Sequence, residues 1–250
     1  LDYVELRFSP WFMAETHGLA PEGVVEAVAD GIRAAERDTG VRAQMIGIMS
    51  RTYDTETCHR ELDALLAHRD HLVAIDLAGD ELKFPADRFR PHFERARAAG
   101  LAVTVHAGEV DGPASVWAAI RELGASRIGH GIHALRDPEL VEYLVEHRIG
   151  LEIAITSNIH TGAVECYAAH PVKALLAHGV MANLNTDDPA ISGIDLRHEY
   201  EVAAPRAGLG PRQTRQAQVN GLEMAFLPEA EKAVLRAGRA ARSATEESNR

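Results

Sequence analysis

The sequence predicts an α/β fold of parallel strands curling into a barrel of the (β/α)8 TIM type. Three observations carry that prediction. Short apolar, β-branched runs alternate with longer amphipathic stretches along most of the 250 residues, a rhythm that implies parallel strands joined by right-handed crossovers. The length suits one such barrel, which takes roughly 250 residues. Residues able to do chemistry fall at the C-terminal ends of successive strand-like runs, the face on which these barrels build their sites.

The strand-like runs are Tyr3–Phe8, Ala43–Met49, Val73–Ala78, Ala102–His106, Arg127–His130, Gly150–Thr156 and Val180–Asn185. Between them lie helical patterns at Pro21–Asp38, Asp54–Arg69, Arg88–Ala99, Pro113–Leu123, Asp137–His147 and Pro171–His178. Pro21 and Pro113 stand where a first-turn proline fits, and Gly40, Gly100, Gly124 and Gly179 follow helix ends. Two extra helical patterns, Pro211–Ala225 and Pro228–Ala241, close the chain, and 242–250 reads as a polar, disordered tail. No repeat, low-complexity tract or linker interrupts the pattern, so a single domain over residues 1–250 is expected. Seven strands are counted, not eight. An open, doubly wound sheet accommodates seven equally well, and it is the convergence of polar strand ends that favours the barrel.

Composition narrows the function. A hydrophobic fraction of 46% with 25% charged residues is that of a globular enzyme. A formal net charge of -11 argues against a nucleic-acid surface, which shows a basic stripe. Two cysteines, Cys58 and Cys166, make neither a disulfide framework nor a thiolate zinc site. A reduced, cytoplasmic compartment is expected. No apolar run approaches the ~20 residues of a membrane span.

Four strand ends carry candidate chemistry. In Val103-Thr-Val-His106-Ala-Gly-Glu109 an imidazole and a carboxylate flank a tight turn. A neutral imidazole suits zinc, and a nearby carboxyl can exchange a proton with substrate or water. A capped strand end with a solvated Glu109 explains the same string. In Ile128-Gly-His130-Gly-Ile132 the glycines allow close approach to His130, although a lone histidine is commonly a satisfied core group. In Asn185-Thr-Asp187-Asp188-Pro189 two adjacent acids repel one another unless a metal takes one of them. The same string also fits a helix N-cap followed by a first-turn proline. In Asp76-Leu-Ala-Gly79-Asp-Glu81 a glycine at the strand mouth offers its backbone N–H while the acids hold the loop. A solvated glycine turn is the alternative. Thr156-Ser-Asn158 ends another run and could line the same pocket. The ten histidines His17, His59, His68, His71, His92, His147, His160, His170, His178 and His198 occupy helix or loop positions and read as structural or surface residues, as does His133.

Taken in order, Tyr3-Val-Glu-Leu-Arg-Phe-Ser-Pro10, Asp76-Leu-Ala-Gly-Asp-Glu81, Thr104-Val-His-Ala-Gly-Glu109, Ile128-Gly-His-Gly131, Thr156-Ser-Asn158 and Asn185-Thr-Asp-Asp-Pro189 resemble the bacterial adenosine deaminases of the metal-dependent amidohydrolase superfamily. Each string is weak alone, but six in order at (β/α) spacing are specific, and they run from Tyr3 to about Leu227. The resemblance implies one Zn2+ per subunit, with His106 and Asp187 among its ligands. It implies that Glu109 protonates the purine ring and that His130 orients and deprotonates the water on the zinc. Asp188 would contact that water and the substrate, and Gly79 would offer a backbone donor to the ring. The implied activity is hydrolytic deamination of adenosine and 2′-deoxyadenosine to inosine and ammonia in purine salvage, on a small purine nucleoside, with no nucleic acid or membrane partner.

The resemblance also implies a His-x-His pair on a first strand, where residues two apart share a face. No His-x-His occurs in this sequence. The expectation is therefore of a barrel lacking its first strand through N-terminal truncation, with two further histidine ligands outside the sequence. Two rivals follow: a deaminase of adenine or a modified nucleoside, and a non-catalytic barrel remnant without a complete metal site.

Overall fold

Seven parallel strands form one sheet in sequence order in the computed structural model, which describes residues 1–248. They are β1 (Tyr3–Phe8), β2 (Arg42–Ser50), β3 (Leu72–Ala78), β4 (Ala102–Ala107), β5 (Arg127–His130), β6 (Gly150–Ile153) and β7 (Ala182–Leu184). Each of the six crossovers passes through a helix: α1 (Pro10–His17) and α2 (Pro21–Thr39), α3 (Thr55–Ala67), α4 (Arg90–Ala98), α5 (Pro113–Leu123), α6 (Pro138–Glu146), then α7 (Ile155–His160) and α8 (Val172–Ala177). After β7 come the short turns α9 (Pro189–Ser192), α10 (Leu196–His198) and α11 (Ala204–Arg206), then α12 (Pro211–Met224) and α13 (Glu229–Ser248). These are the extra C-terminal helices.

The strand order alone does not distinguish a flat sheet from a curled one; the side chains do. At about 4.8 Å per strand, β1 and β6 of a flat sheet would lie roughly 24 Å apart. Instead Arg7 of β1 lies 2.7 Å from Glu152 of β6, and Glu5 of β1 lies 2.6 Å from Arg127 of β5. The sheet curls into a barrel wall, and Glu5, Arg7, Asp76, Arg127 and Glu152 point into its interior. The outward residues of the strands join the helices in the main apolar core, built on Ile75, Leu77, Phe89, Phe93, Val105, Leu123 and Leu151 among others.

That interior is charged, and it is arranged as a ladder of alternating sign. Arg127 meets Glu5 and Glu152, and Arg7 meets Glu152 and Asp76. Thr104 Oγ1 also donates to Glu152 at 3.0 Å. Burial raises the cost of charging Glu152, but Arg127 and Arg7 outweigh it and hold the carboxyl below its ordinary range. The floor is closed by the segment after α12. Phe226 N donates to Glu5 at 2.6 Å and its ring lies 3.6 Å from the Arg127 guanidinium carbon.

Three boundaries depart from the sequence pattern. The apolar run Gly150–Thr156 reads as strand throughout, yet β6 stops at Ile153 and Thr156, Ser157 and Asn158 lie in α7. The cause is remote in sequence. The buried carboxylate of Glu199 accepts from the N–H groups of Ile155 and Thr156, both at 3.1 Å, satisfying the first donors of the helix. Strand β7 is shorter than Val180–Asn185, because only Leu151–Ile153 of β6 is available to pair with it. Helix α13 continues past Ala241 to Ser248, through part of the run expected to be a disordered tail. Asn249 and Arg250, the end of the expected disordered tail, lie outside the described residues.

Candidate active site

The C-terminal ends of β3 to β7 deliver the site. Asp76 lies near the end of β3 and Gly79 just after it, His106 lies near the end of β4 and Glu109 after it, His130 closes β5, and Asp187 and Asp188 follow β7. The register explains the proximity of the first histidines. His106 pairs with Gly129 and Ala107 with His130 across β4 and β5, and the two imidazole centroids are 5.2 Å apart. Gly129 leaves room for this approach, since a Cβ at that position would sit 3.1 Å from Cγ of His106 and press on the ring.

Two of these residues adopt left-handed backbone, His130 with φ 63° and Asp187 with φ 55°. Such conformations are uncommon outside glycine and gather at functional sites, where surrounding structure holds them. Here they turn both side chains inward. Ligand-capable atoms of His106, His130 and Asp187 all lie within 4.8 Å of one another. His130 Nε2 lies 3.5 Å from Glu109 Oε2 and 3.9 Å from Asp187 Oδ2.

The electrostatics separate the groups. Asp76 is buried; His106 and Arg7 more than offset the cost of burying its charge, leaving the carboxyl well below the usual range. His106 is raised, because Asp76 outweighs its desolvation. His130 is lowered by burial against the opposing pull of Glu109. Burial raises Asp187, but His130, His106 and the Ser157 hydroxyl at 2.7 Å outweigh it and lower the carboxyl. Its neighbour Asp188 is raised, by burial and by the Asp187 charge. The two adjacent acids are thus shifted in opposite directions.

The donors suit zinc in kind. Asp76 takes Nδ1 of His106, at 2.9 and 3.1 Å from its two oxygens, so Nε2 is the nitrogen left for the cavity, and Asp187 adds a carboxylate. Imidazole nitrogen and carboxylate oxygen are ordinary zinc ligands, and a carboxylate on the far imidazole nitrogen is their usual support. His106 and Asp187 supply two donors, where catalytic zinc commonly takes three from protein.

Gly79 stands at the mouth of β3, exposed, with φ 111°. Two residues on, Glu81 is buried and organises the loop that carries Glu109. Its carboxylate accepts from the N–H groups of Gly108 (2.9 Å), Val110 and Asp111 (2.7 Å) and from Ser115 Oγ (2.7 Å). The reading of that acid as a loop holder is met.

Three contributors are missing from the sequence reading. Arg51, fully buried, donates to the His106 carbonyl at 2.7 Å and the Leu77 carbonyl at 3.3 Å, tying the ends of β3 and β4 together. Arg7 of β1 holds Asp76 of β3 through the barrel interior. His170, a structural or surface histidine by its sequence position, is buried behind Asn158, and burial pushes its pKa down to about 4. A signal existed for Arg7 alone, a basic residue alternating with apolar ones in a strand. His170 becomes visible only when α7 is known to be a helix.

Known proteins resemble this chain over most of its length. The adenosine deaminase family profile matches residues 1–239. An adenosine deaminase of Vibrio cholerae is 59% identical over 242 residues, covering 97% of this chain and 72% of that protein. One from Edwardsiella ictaluri is 61% identical over 236 residues, covering 94% and 71%. Among solved structures, an adenine deaminase from Arthrobacter aurescens superposes with TM-score 0.88 at 29% identity, covering 94% of this chain and 71% of its own. An amidohydrolase from Burkholderia ambifaria with bound Zn gives 0.88 at 25% identity, covering 97% and 68%.

Proposed function

The chain belongs to the adenosine deaminase family, and from that premise we propose that its strand-end cluster uses zinc to convert adenosine and 2′-deoxyadenosine to inosine and ammonia in purine salvage. The chain is a hydrolytic deaminase. The observation that supports the finer reading is the meeting of His106, His130 and Asp187 within 4.8 Å, with Glu109 3.5 Å from His130.

His106 and Asp187 would hold the zinc, with Asp76 fixing the ring of the first and Ser157 the carboxylate of the second. Bound there, zinc supplies a Lewis acid that makes water nucleophilic at neutral pH. The residues do the rest. His130 orients the attacking water toward the amino-bearing carbon of the purine, and Asp188 contacts both water and substrate. Glu109 gives a proton to the ring nitrogen next to that carbon, making the ring a better electron acceptor. The backbone N–H of Gly79 donates to the purine ring from the rim.

A small neutral nucleoside agrees with an acidic protein of formal net charge -11. Among the described residues no helix is long and apolar enough to cross a membrane, and Cys58 and Cys166 are both free, in keeping with work in the reducing cytoplasm.

The nearest competitor is another aminopurine, since the superposed structures include an adenine deaminase at 29% identity. The relatives at 59% and 61% identity are adenosine deaminases, which favours the nucleoside. Comparing kcat/KM for adenosine, 2′-deoxyadenosine and adenine decides it. The nucleosides should exceed the free base by at least about ten-fold, and the reverse order would replace this reading.

A further inference from the structure

We propose that a one-way hydrogen-bond relay, from the backbone N–H of Val172 through His170 and Asn158, fixes the proton positions on His130 and Glu109. Its consequence for catalysis rests on the deaminase reading above; its geometry does not.

The direction of the relay is set at its first link. A backbone N–H can only donate, and that of Val172, at the start of α8, donates to Nδ1 of His170 at 3.1 Å. Nδ1 of His170 is therefore unprotonated and Nε2 carries the hydrogen. That Nε2 lies 3.2 Å from Oδ1 of Asn158, which accepts. The amide of Asn158 is thereby oriented: its oxygen faces His170 and its NH2 faces the site.

The two hydrogens of that NH2 have two partners. One acceptor is Nδ1 of His130 at 3.0 Å and the other is Oε1 of Glu109 at 3.3 Å. Nδ1 of His130 can accept only if it is bare, so the ring's hydrogen is on Nε2. The surroundings of Nε2 agree, because the atoms facing it are the Glu109 and Asp187 oxygens. On Glu109, Oε1 receives both Asn158 and the hydroxyl of Thr161 at 3.4 Å. Oε2 is left as the oxygen able to carry a proton. His130, Asn158 and His170 are all buried, so water does not offer the relay alternative partners.

Two consequences follow. A ring with its Nδ1 lone pair taken and its Nε2 protonated has no lone pair for a metal. His130, although grouped with His106 and Asp187 by distance, is kept out of the ligand set. The same ring enters the reaction as a hydrogen-bond donor at Nε2. The family resemblance gives His130 both the orienting and the deprotonating of water; the relay gives it the first, and accepting the proton falls to a carboxylate of the site. Asn158 and His170 are positioning residues, acting through His130 and Glu109.

The test reads the tautomer directly, by long-range 1H–15N correlation on the chain labelled with 15N-histidine, with His130 assigned by the signal lost in His130→Gln. The expected result is a neutral His130 with pyrrole-type Nε2 and pyridine-type Nδ1. In Asn158→Asp the carboxylate accepts where the amide donated, and the hydrogen should move to Nδ1. His170→Ala should give a mixture of tautomers, and His170→Gln, which keeps an amide donor, should restore the original. In turnover, Asn158→Asp should lower kcat by about 100-fold or more while KM changes by less than about three-fold. A wild-type His130 with Nδ1–H, or a tautomer untouched by Asn158→Asp, would overturn the relay. Absence of ammonia release from adenosine by the wild type would instead overturn the deaminase reading, with the relay still decided by the spectrum.

Discussion

The carboxylate of Asp76 lies 2.9 Å from Nδ1 of His106, one strand away, and so decides which ring nitrogen faces the cavity. Asp76 is in turn held at 2.9 Å by Arg7 of β1, two strands away. Removing Asp76 frees the ring to rotate and leaves Arg7 one partner short. Asp76→Ala should weaken zinc binding by about 10–100-fold, measured by competition with a chromogenic chelator. Unchanged affinity would mean that His106 needs no such support.

Gly79 has φ 111°, and a Cβ there would meet Thr52 Oγ1 at 2.3 Å and Thr52 N at 3.2 Å. The hydroxyl can rotate away, but the backbone cannot. Gly79→Ala should therefore cost about 1–3 kcal/mol of stability, read from the midpoint of urea unfolding. A loss below about 0.5 kcal/mol would show that the β3 rim yields easily.

Acid should unfold the protein through its interior ladder. The Asp76 and Glu152 carboxyls are held below their ordinary values in the folded chain, so below about pH 5 the unfolded chain binds more protons than the folded one. Their contribution is fully present above their unfolded values, about 4, and is lost as pH falls through the lower folded ones. The share of stability carried by Asp76 and Glu152, read as the difference in urea midpoint from variants at these positions, should be flat from pH 7 to 5 and fall steeply below. In Glu152→Gln the protein should be weaker at pH 7, yet the slope below pH 5 should shrink by up to about one proton. An unchanged slope would remove Glu152 from the titration.

Glu81 gathers three backbone donors from the loop that carries Glu109 and the Ser115 hydroxyl from the first turn of α5. Replacing one oxygen by an NH2 sets donor against donor. Glu81→Gln should speed hydrogen exchange at Gly108, Val110 and Asp111 and lower kcat by about ten-fold or more. Exchange that stays slow would mean that the loop is held by other contacts.

What the sequence made legible follows period and position. The strand cores stood out because β-branched and apolar residues cluster in them, and His106, His130 and Asp187 stood out because polar residues at strand ends have few structural reasons to be there. What stayed hidden depends on distant partners. Ile155 and Thr156 look like strand residues until Glu199 caps them, and His170 reads as one structural or surface histidine among ten until α7 brings Asn158 over it. Arg51 gives no local sign of being buried, since its three carbonyl partners come from β3, β4 and the loop after β3.

The central claim is that this cluster of strand ends performs a zinc-dependent hydrolytic deamination. Its most direct test is the release of ammonia from adenosine by zinc-supplied protein, with Glu109→Gln alongside. The prediction is one ammonia and one inosine per adenosine consumed, and a fall of about 100-fold or more in Glu109→Gln. Folded, zinc-supplied protein that leaves adenosine unchanged, or a rate that Glu109→Gln does not alter, would contradict it.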